Sequence, residues 1–186
     1  IQFFHEDKEA REDLLNHLAT TFPNITSLQY IINEKANDTI YDQEIHRYYG
    51  THYITEKMGD LAFRITPKAF YQTNPAQAEV LSKKALELAE LKESDVVYDL
   101  YTGLGTIAQF VAKSCKKVIG IESVPDAIVA AKENAKRNEI TNTKFEVGDM
   151  RKVFTNDFVA KHGKADVIIT DPPRDGMHKD VINQLL

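Results

Sequence analysis

Cysteine is scarce in this sequence of 186 residues, which contains a single one, Cys115. One cysteine excludes a disulfide framework and a metal site built from several thiolates, and it fits a reducing compartment, so we expect a cytoplasmic protein. Long apolar runs are also missing. No stretch approaches roughly 18 consecutive apolar residues, so we expect neither a membrane span nor a membrane partner. No spacing of histidine and acidic residues indicates a metal site.

An excess of basic residues is absent as well. The sequence has 23 Lys and Arg against 28 Asp and Glu, which gives a formal net charge of −5 at pH 7. The field of such a molecule does not bring nucleic acid to it. Hydrophobic residues make up 42% and charged residues 27%, a composition typical of a globular domain, which excludes wholesale disorder.

Short apolar runs alternate with helical patterns from Asn74 onward. The pattern predicts strands over 96–100, 117–121, 144–147 and 165–170, and helices that begin at Asn74 and cover 106–112 and 123–137. In the helix that begins at Asn74, we expect the following residues to face a core: Ala78, Leu81, Ala85 and Leu88. Apolar strands separated by helices predict an α/β fold with an open, doubly wound and mainly parallel sheet of the Rossmann type.

The first third of the chain is less regular. It predicts a helix over 9–18 and strands over 28–32 and 52–55, as in a small α+β domain. We place the boundary near Thr66-Pro67, so that 1–66 form part of that domain and 67–186 form the sheet domain. Because the sequence begins at Ile1 and stops at Leu186 within an apolar, helix-like run, we expect a piece of a longer protein in which both domains are incomplete.

Four acidic residues follow the four predicted strands, one at each strand end: Asp99, Glu122, Asp149 and Asp171. In parallel α/β sheets, ligands bind beyond the carboxyl ends of the strands. Each acid taken singly is explained equally well as a turn residue or a favourable charge at a helix N-terminus. Their convergence on one edge of the sheet favours a binding site.

The loop after the first of these strands, Gly103-Leu104-Gly105-Thr106-Ile107-Ala108, fits the dinucleotide fingerprint G-x-G-x-x-A. A pyrophosphate at this loop would be repelled by Asp99 and Asp171, whereas the sulfonium and ammonium groups of S-adenosylmethionine would be attracted. Glu122 would then accept hydrogen bonds from the ribose hydroxyls, and Asp149 one from the adenine amino group. We therefore expect S-adenosylmethionine as cofactor, with an NAD-dependent oxidoreductase as an alternative.

The tetrapeptide Asp171-Pro172-Pro173-Arg174 ends the last predicted strand, where the two prolines stop the ladder and hold the acid at the strand tip. Methyltransferases that act on amino groups of bases carry a similar segment followed by an aromatic residue. The arginine found here disfavours that chemistry, and a nucleobase amino-methyltransferase is kept as an alternative. A second segment is rich in rings and consists of His46, Arg47–Tyr49 and His52. It is interpreted either as a surface on which RNA bases stack or, more simply, as a patch that covers the edge of a sheet.

Five segments together resemble the RNA uracil-C5 methyltransferases, which make 5-methyluridine in ribosomal and transfer RNA. They are Phe70–Asn74, Asp99–Thr106, Gly120–Glu122, Glu133–Asn138 and Asp171–Arg174. The resemblance covers most of the chain, and the ribosomal branch is the more similar, so the implied partner is RNA, and ribosomal rather than transfer RNA. It implies contacts to S-adenosylmethionine from Gln72, Tyr101, Thr106, Glu122, Asp149 and Asp171. The family usually has cysteine where this chain has Thr102.

The family's reaction implies a cysteine that adds to C6 of uracil and a base that removes the C5 proton. Cys115 lies between a helix and the start of the second strand, far from the ligand edge, and is interpreted as structural. We expect the catalytic cysteine and carboxylate to lie downstream of Leu186, and the family's RNA-binding barrel to lie outside this chain as well. The chain is therefore predicted to be a monomer that is inactive alone, and a non-catalytic RNA-binding or scaffold domain is a further alternative.

Overall fold

The computed structural model describes residues 1–37 and 39–186, which form two compact units. The smaller unit contains residues 1–54 and 66–68, and the larger contains 55–65 and 69–186. The predicted boundary near Thr66-Pro67 assigned residues 55–65 to the smaller domain, whereas the structure places them in the larger unit. They form a hairpin that packs against helices of the larger unit and against Leu104.

The smaller unit is an α+β arrangement of one helix and three strands, with strand order β1-β2-β3. Its elements are β1 (Gln2–Phe3), α1 (Lys8–Thr21), β2 (Ser27–Ile32) and β3 (His46–Gly50). The strand predicted over 52–55 was wrong in its bounds, since the strand in this region begins at Ile54. Strand β3 was not predicted, because its polar and aromatic residues lack the apolar alternation that marks a strand. The His46 ring stacks on Tyr30, with 5.0 Å between ring centroids, whereas Tyr49 is exposed.

The larger unit contains a four-stranded parallel sheet, as predicted, and a separate two-stranded hairpin. Its elements are β4 (Ile54–Met58), β5 (Leu61–Ile65), α2 (Pro75–Ala89), β6 (Val96–Leu100), α3 (Thr106–Ala112), β7 (Lys117–Glu122), α4 (Pro125–Arg137), β8 (Thr143–Val147), α5 (Met150–Val153), α6 (Asn156–His162), β9 (Val167–Thr170) and α7 (Lys179–Leu185). The strand order is β8-β7-β6-β9. The chain adds β7 and β8 on one side of β6 and then crosses back to place β9 on the other side, so the switch point lies between β6 and β9. Such a switch point is where doubly wound sheets bind ligands.

Side chains on the two faces of β6 enter different cores. Val97 packs in a cluster with α3 and α4, whereas Tyr98 and Leu100 pack with α5, α6 and α7. Because side chains alternate along a strand, Asp99 lies on the same face as Val97, under α3. The sheet is therefore covered on both faces, which explains why its central strands β6 and β7 are mostly apolar.

Helix α2 begins as predicted, with the Asn74 side chain accepting a hydrogen bond from the Gln77 N–H at 3.2 Å and Pro75 in the first turn. Its predicted buried face was wrong in part, since Leu81 and Leu88 are 49% and 71% exposed. The buried face is centred on Ala78 and Ser82. The two leucines lie on a neighbouring stripe of the helix, three and ten residues after Ala78. In the described part of the chain, no helix has the length and apolarity that a membrane crossing requires.

Candidate functional site

The ends of the four parallel strands bring the four predicted acids to one edge of the sheet. Leu100 at the end of β6 is paired with Ile121 of β7 and with Thr170 of β9, and Glu122 is paired with Val147 of β8. Asp99 directly precedes Leu100, Glu122 ends β7, Asp149 lies two residues after Val147, and Asp171 directly follows Thr170. The sequence prediction that they converge is therefore confirmed by the strand register.

The carboxylate of Glu122 is held in place by four donors from two loops. Its Oε2 accepts a hydrogen bond from the Gly103 N–H at 3.1 Å. Its Oε1 accepts hydrogen bonds from the Ser123 N–H at 2.7 Å, the Ser123 hydroxyl at 3.0 Å and the Val124 N–H at 3.0 Å. Since a carboxylate has about four lone-pair directions, Oε2 keeps one for a further donor. Glu122 is thus oriented before any ligand binds.

Asp99 lies beneath the glycine loop and is almost fully buried. Its Oδ2 accepts hydrogen bonds from the Thr102 hydroxyl at 2.5 Å and from the Ala108 N–H at 3.1 Å. Burial is the main reason why the pKa of this carboxyl is raised to about 7; the charges of Asp171 and Glu122 add to its effect, and the two hydrogen bonds oppose it. We expected Asp99 to face the ligand with a full charge. Instead, it binds Thr102 and the first turn of α3, because strand alternation turns it under that helix.

Three backbone N–H groups of the glycine loop and the first turn of α3 are already bound within the protein. Besides the bonds from Gly103 to Glu122 and from Ala108 to Asp99, the Gly105 N–H donates to the Thr102 carbonyl at 2.8 Å. In a dinucleotide site, N–H groups of this loop and of the helix that follows bind the pyrophosphate. Here two of them are bound to carboxylates, which disfavours a phosphate ligand.

The two glycines of the loop differ in their surroundings. A Cβ atom on Gly105 would lie 2.8 Å from the ring of Phe145 and 3.2 Å from the Cβ of Ala131, whereas one on Gly103 would have no neighbour within 4 Å. Both have a positive φ, 72° and 54°. Gly105 therefore serves close packing against α4 and β8, and Gly103 leaves open space beside the Glu122 carboxylate.

Tyr101 follows β6 with φ 65°, in the left-handed region that a bulky residue rarely adopts. It lines a cavity of about 280 Å³ whose other lining residues are Ser123, Asp149, Met150, Arg151, Gly176, His178 and Val181. Burial raises the pKa of the Tyr101 phenol, and the charge of Asp149 adds to this effect. The structure thus brings two predicted cofactor contacts, Tyr101 and Asp149, into one cavity.

Asp149 caps α5 and is paired with an arginine that sequence reasoning missed. Its Oδ1 accepts hydrogen bonds from the Arg151 backbone N–H at 2.9 Å and from Nε at 3.2 Å, and its Oδ2 accepts one from Nη2 at 2.9 Å. These bonds to Arg151 hold the pKa of Asp149 at about 2, so its carboxylate is ionised near neutral pH. Residues two apart do not face each other on a helix, so no periodicity in the sequence indicated this pair.

The remaining predicted contacts, Thr106, Asp171 and Gln72, are not among the residues that line this cavity. Thr106 begins α3, and Asp171 is exposed at the end of β9, where its N–H donates to the Leu100 carbonyl at 3.4 Å. Gln72 lies half-buried in the irregular segment between β5 and α2. In the part of the chain that the structure describes, neither Gln72 nor Asp171 lines the cavity next to Tyr101.

Cys115 lies at the opposite edge, between α3 and the amino end of β7, as predicted. It is buried in the core that includes Val97 and Val118, and its thiol points to the Val111 carbonyl at 3.5 Å. Burial raises the pKa of this thiol, so it is a poor nucleophile at neutral pH. Among the described residues, no group of three histidine, cysteine or acidic side chains is arranged to hold a metal ion.

Leu186 is the position after which we expect the catalytic cysteine and carboxylate. Its N–H donates to the Ile182 carbonyl at 3.3 Å at the end of α7, and its side chain is fully exposed. Leu186 is not among the residues that line the cavity next to Tyr101. The catalytic pair would follow it in sequence and therefore stays a prediction.

Comparison with known proteins adds to this geometry. An uncharacterized RNA methyltransferase of Porphyromonas gingivalis is 54% identical over 186 residues, which are all of this chain and 40% of that protein. One of Bacteroides thetaiotaomicron is 52% identical over 180 residues, 97% of this chain and 40% of that protein. The chain thus spans about 40% of the length of these curated relatives.

Among solved structures, the tRNA (uracil-54, C5)-methyltransferase of Pyrococcus abyssi in complex with S-adenosyl-L-homocysteine is similar, with a TM-score of 0.72 and 31% identity. The match covers 89% of this chain and 39% of that one. A family model described as a methyltransferase domain matches residues 91–184. Since this match takes in about half of the chain, including the sheet and its acidic edge, the chain belongs to the methyltransferase domain family.

Proposed function

We propose that the full-length protein uses S-adenosylmethionine to methylate C5 of a uridine in RNA. The observation that carries the proposal is the carboxylate of Glu122, which is fixed by the Gly103 N–H beside open space. Membership in the methyltransferase domain family supports the cofactor, and the names of the relatives support an RNA substrate. The relative from Pyrococcus abyssi, a uracil-C5 enzyme of tRNA, supports the position of the methyl group.

The residues at the edge suit S-adenosylmethionine, which supplies an electrophilic methyl group on a sulfonium when bound. The free lone pair on Oε2 of Glu122 is available to a ribose hydroxyl, and the ionised Asp149 is available to the amino group of adenine. Tyr101 offers a ring in the same cavity. The resemblance to uracil-C5 enzymes adds Gln72, Thr106 and Asp171 as contacts.

Electrostatics favour this cofactor over a dinucleotide. Glu122 and Asp171 place negative charge at the strand ends next to the loop, whereas two N–H groups that would attract a pyrophosphate are bound to Glu122 and Asp99. The electrostatic free energy of binding at such an edge is favourable for a cation and unfavourable for two phosphates. In contrast to the prediction from sequence, Asp99 contributes by accepting the Ala108 N–H rather than by its full charge.

The nucleophile and the base belong downstream of Leu186 in our proposal. The resemblance implies that a cysteine adds to C6 of uracil, and Cys115 is buried at the far edge of the sheet. We therefore propose that this chain binds the cofactor but does not transfer the methyl group alone. The preference for ribosomal over transfer RNA stays a prediction.

Two measurements test the proposal. Calorimetric titration of the 186-residue chain with S-adenosylhomocysteine and with NADH should show binding of the first, and preference for NADH would overturn the cofactor. The full-length protein should transfer labelled methyl from S-adenosylmethionine to RNA that lacks 5-methyluridine, with ribosomal and transfer RNA tested separately. Mass spectrometry of the nucleosides should place the methyl on C5 of uridine.

Other outcomes of these assays count against the proposal. A methyl group on an exocyclic nitrogen would instead indicate a nucleobase amino-methyltransferase. No transfer by the full-length protein to either RNA would favour a non-catalytic RNA-binding domain. Turnover by the chain that stops at Leu186 would contradict our placement of the thiol.

A further inference from the structure

Helix α4 binds the hairpin strand β5 through side-chain amides. Asn134 Oδ1 accepts a hydrogen bond from the Arg64 N–H at 2.9 Å, and its Nδ2 donates to the Arg64 carbonyl at 3.1 Å. One helical turn later, Asn138 Oδ1 accepts a hydrogen bond from the Ala62 N–H at 2.9 Å. Residues 62 and 64 present their backbone groups to the same side of the strand, and residues four apart share a face of a helix. The two asparagines therefore take the place of a neighbouring strand.

The Asn138 amide also connects the hairpin to the glycine loop. Its Nδ2 donates to Gln109 Oε1 at 2.9 Å. Gln109 lies in α3 with no exposed surface, and its Nε2 donates to the carbonyls of Leu104 and Ala131, at 3.4 Å each. A series of hydrogen bonds thus runs from Ala62 through Asn138 and Gln109 to the carbonyl of Leu104.

The hairpin also holds the side chain of Leu104. This side chain is 1% exposed and belongs to a cluster with Met58, Leu61 and Phe63 of the hairpin. The residue before it is Gly103, whose N–H donates to Glu122. The hairpin therefore anchors the residue next to one of the donors that orient the Glu122 carboxylate.

We infer that Asn138 and Gln109 are positioning residues that couple the hairpin β4–β5 to the cofactor site through Leu104. The inference rests on the function proposed above. Apolar side chains could fill the space between two helices and a hairpin equally well. The polar side chains found here are therefore best explained by the orientation that their hydrogen bonds impose on the neighbouring elements. Both side-chain amides in this series are paired at their oxygen and at their nitrogen, and a paired amide allows fewer orientations than an apolar contact.

Asn138→Asp tests the connection, and Asn134→Asp is its matched control. Each substitution keeps the oxygen that accepts from β5 and loses one N–H donor. In Asn138→Asp, the new oxygen faces Gln109 Oε1, so Gln109 either loses this bond or turns its amide and presents Oε1 to the Leu104 carbonyl. In Asn134→Asp, the lost donor had bound the Arg64 carbonyl and does not lead to the loop.

Amide hydrogen exchange of Gly103, measured by NMR without cofactor, reports on the loop directly. We expect Asn138→Asp to accelerate it about tenfold and to weaken binding of S-adenosylhomocysteine about five- to tenfold, as the loss of one hydrogen bond predicts. Asn134→Asp should change both by less than about twofold, although both variants lose similar stability in urea. Equal effects of the two variants, or no effect of Asn138→Asp, would overturn the inference.

A second variant covers the case in which Asn138→Asp does not fold. Gln109→Met keeps the shape of the side chain without a charge and removes the bond to Leu104, so it should also accelerate exchange of the Gly103 amide. An unchanged rate would overturn the inference. If the unmodified chain fails to bind S-adenosylhomocysteine, the proposed cofactor is wrong, whereas the exchange rates still decide whether the amides position the loop.

Discussion

The carboxylate of Glu122 and the backbone N–H of Gly103 are joined by a hydrogen bond of 3.1 Å between residues 19 positions apart. One belongs to the end of β7 and the other to the glycine loop after β6. The bond closes the gap between two neighbouring strand ends and removes a donor that a phosphate would need. A glycine loop of the same sequence pattern thus becomes suited to a ligand that is rich in hydroxyl groups and positive charge.

Glu122→Gln should weaken binding of S-adenosylhomocysteine at least tenfold. The amide keeps one acceptor oxygen, and its NH₂ group faces N–H donors that the second carboxylate oxygen accepted. Hydrogen bonds to a charged acceptor contribute about 1.5–3 kcal/mol, which corresponds to this loss. Calorimetry measures it, with Glu133→Gln on the exposed side of α4 as control. Unchanged affinity in Glu122→Gln would exclude the carboxylate as a ligand.

Gly105→Ala should destabilise the fold by about 2–4 kcal/mol, because the added methyl group meets the Phe145 ring at 2.8 Å and the backbone has φ 72°. Gly103→Ala is the matched comparison, with a similar φ and open space around the methyl group. It should cost only about 1 kcal/mol from backbone strain. Urea unfolding compares them. Equal losses would show that strain, rather than packing, decides at both positions.

Tyr101→Gly should be more stable than Tyr101→Ala by about 1 kcal/mol, since only glycine adopts φ 65° without steric cost. At ordinary positions, glycine is the less stable of the two, so the sign itself is diagnostic. Denaturant unfolding of both variants gives the difference. Both should bind S-adenosylhomocysteine more weakly than the unmodified chain, because the ring that lines the cavity is lost. A more stable alanine variant would contradict the left-handed backbone.

The buried Asp99 should make stability depend on pH between about 4 and 7. Its pKa is 3.8 in the unfolded chain and about 7 in the folded one, so the folded state binds more protons in this interval. The contribution to stability is complete below the unfolded pKa, falls as pH rises and is lost above the folded pKa. The change amounts to a few kcal/mol, on the order of 4 at most.

Asp99→Asn should remove this slope, because an amide does not titrate and still accepts the Ala108 N–H. Urea unfolding of both proteins at pH 5 and pH 8 measures the effect. The unmodified chain should lose more stability between these values than the variant does. Asp175→Asn, at an exposed position, serves as the control and should keep the original slope. Parallel pH profiles of Asp99→Asn and the unmodified chain would show that Asp99 is ionised at little cost.

The sheet domain was predictable because its signals are local. Buried parallel strands such as Val96–Leu100 are mostly apolar runs, and Asn74-Pro75 is a strong start signal for a helix. The edge strand His46–Gly50 was missed, since it is half-solvated and its side chains carry no apolar period. The exposure of Leu88 was also missed, because periodicity shows which residues share a face but not which face is covered.

The candidate site was predictable to the level of strand ends and no further. The acids after the strands follow from topology, and their convergence needed only the parallel sheet. The inward turn of Asp99 depends on where α3 packs, and the pairing of Asp149 with Arg151 depends on side-chain conformation. The contacts of Asn134 and Asn138 span more than 60 residues and leave no local pattern.

The hydrogen bonds between α4 and β5 determine the order in which these elements assemble during folding. Ala62 and Asn138 are 76 positions apart, and Arg64 and Asn134 are 70 apart. A ribosome releases the hairpin well before the helix that binds it, so the nascent strand has exposed backbone groups until α4 has been made and has folded. Contacts between residues so far apart in sequence form late in folding, because the chain between them must first lose conformational entropy. On our inference that the hairpin positions the loop, we expect the glycine loop to acquire its final shape only after synthesis has passed α4, well after its own residues have been made.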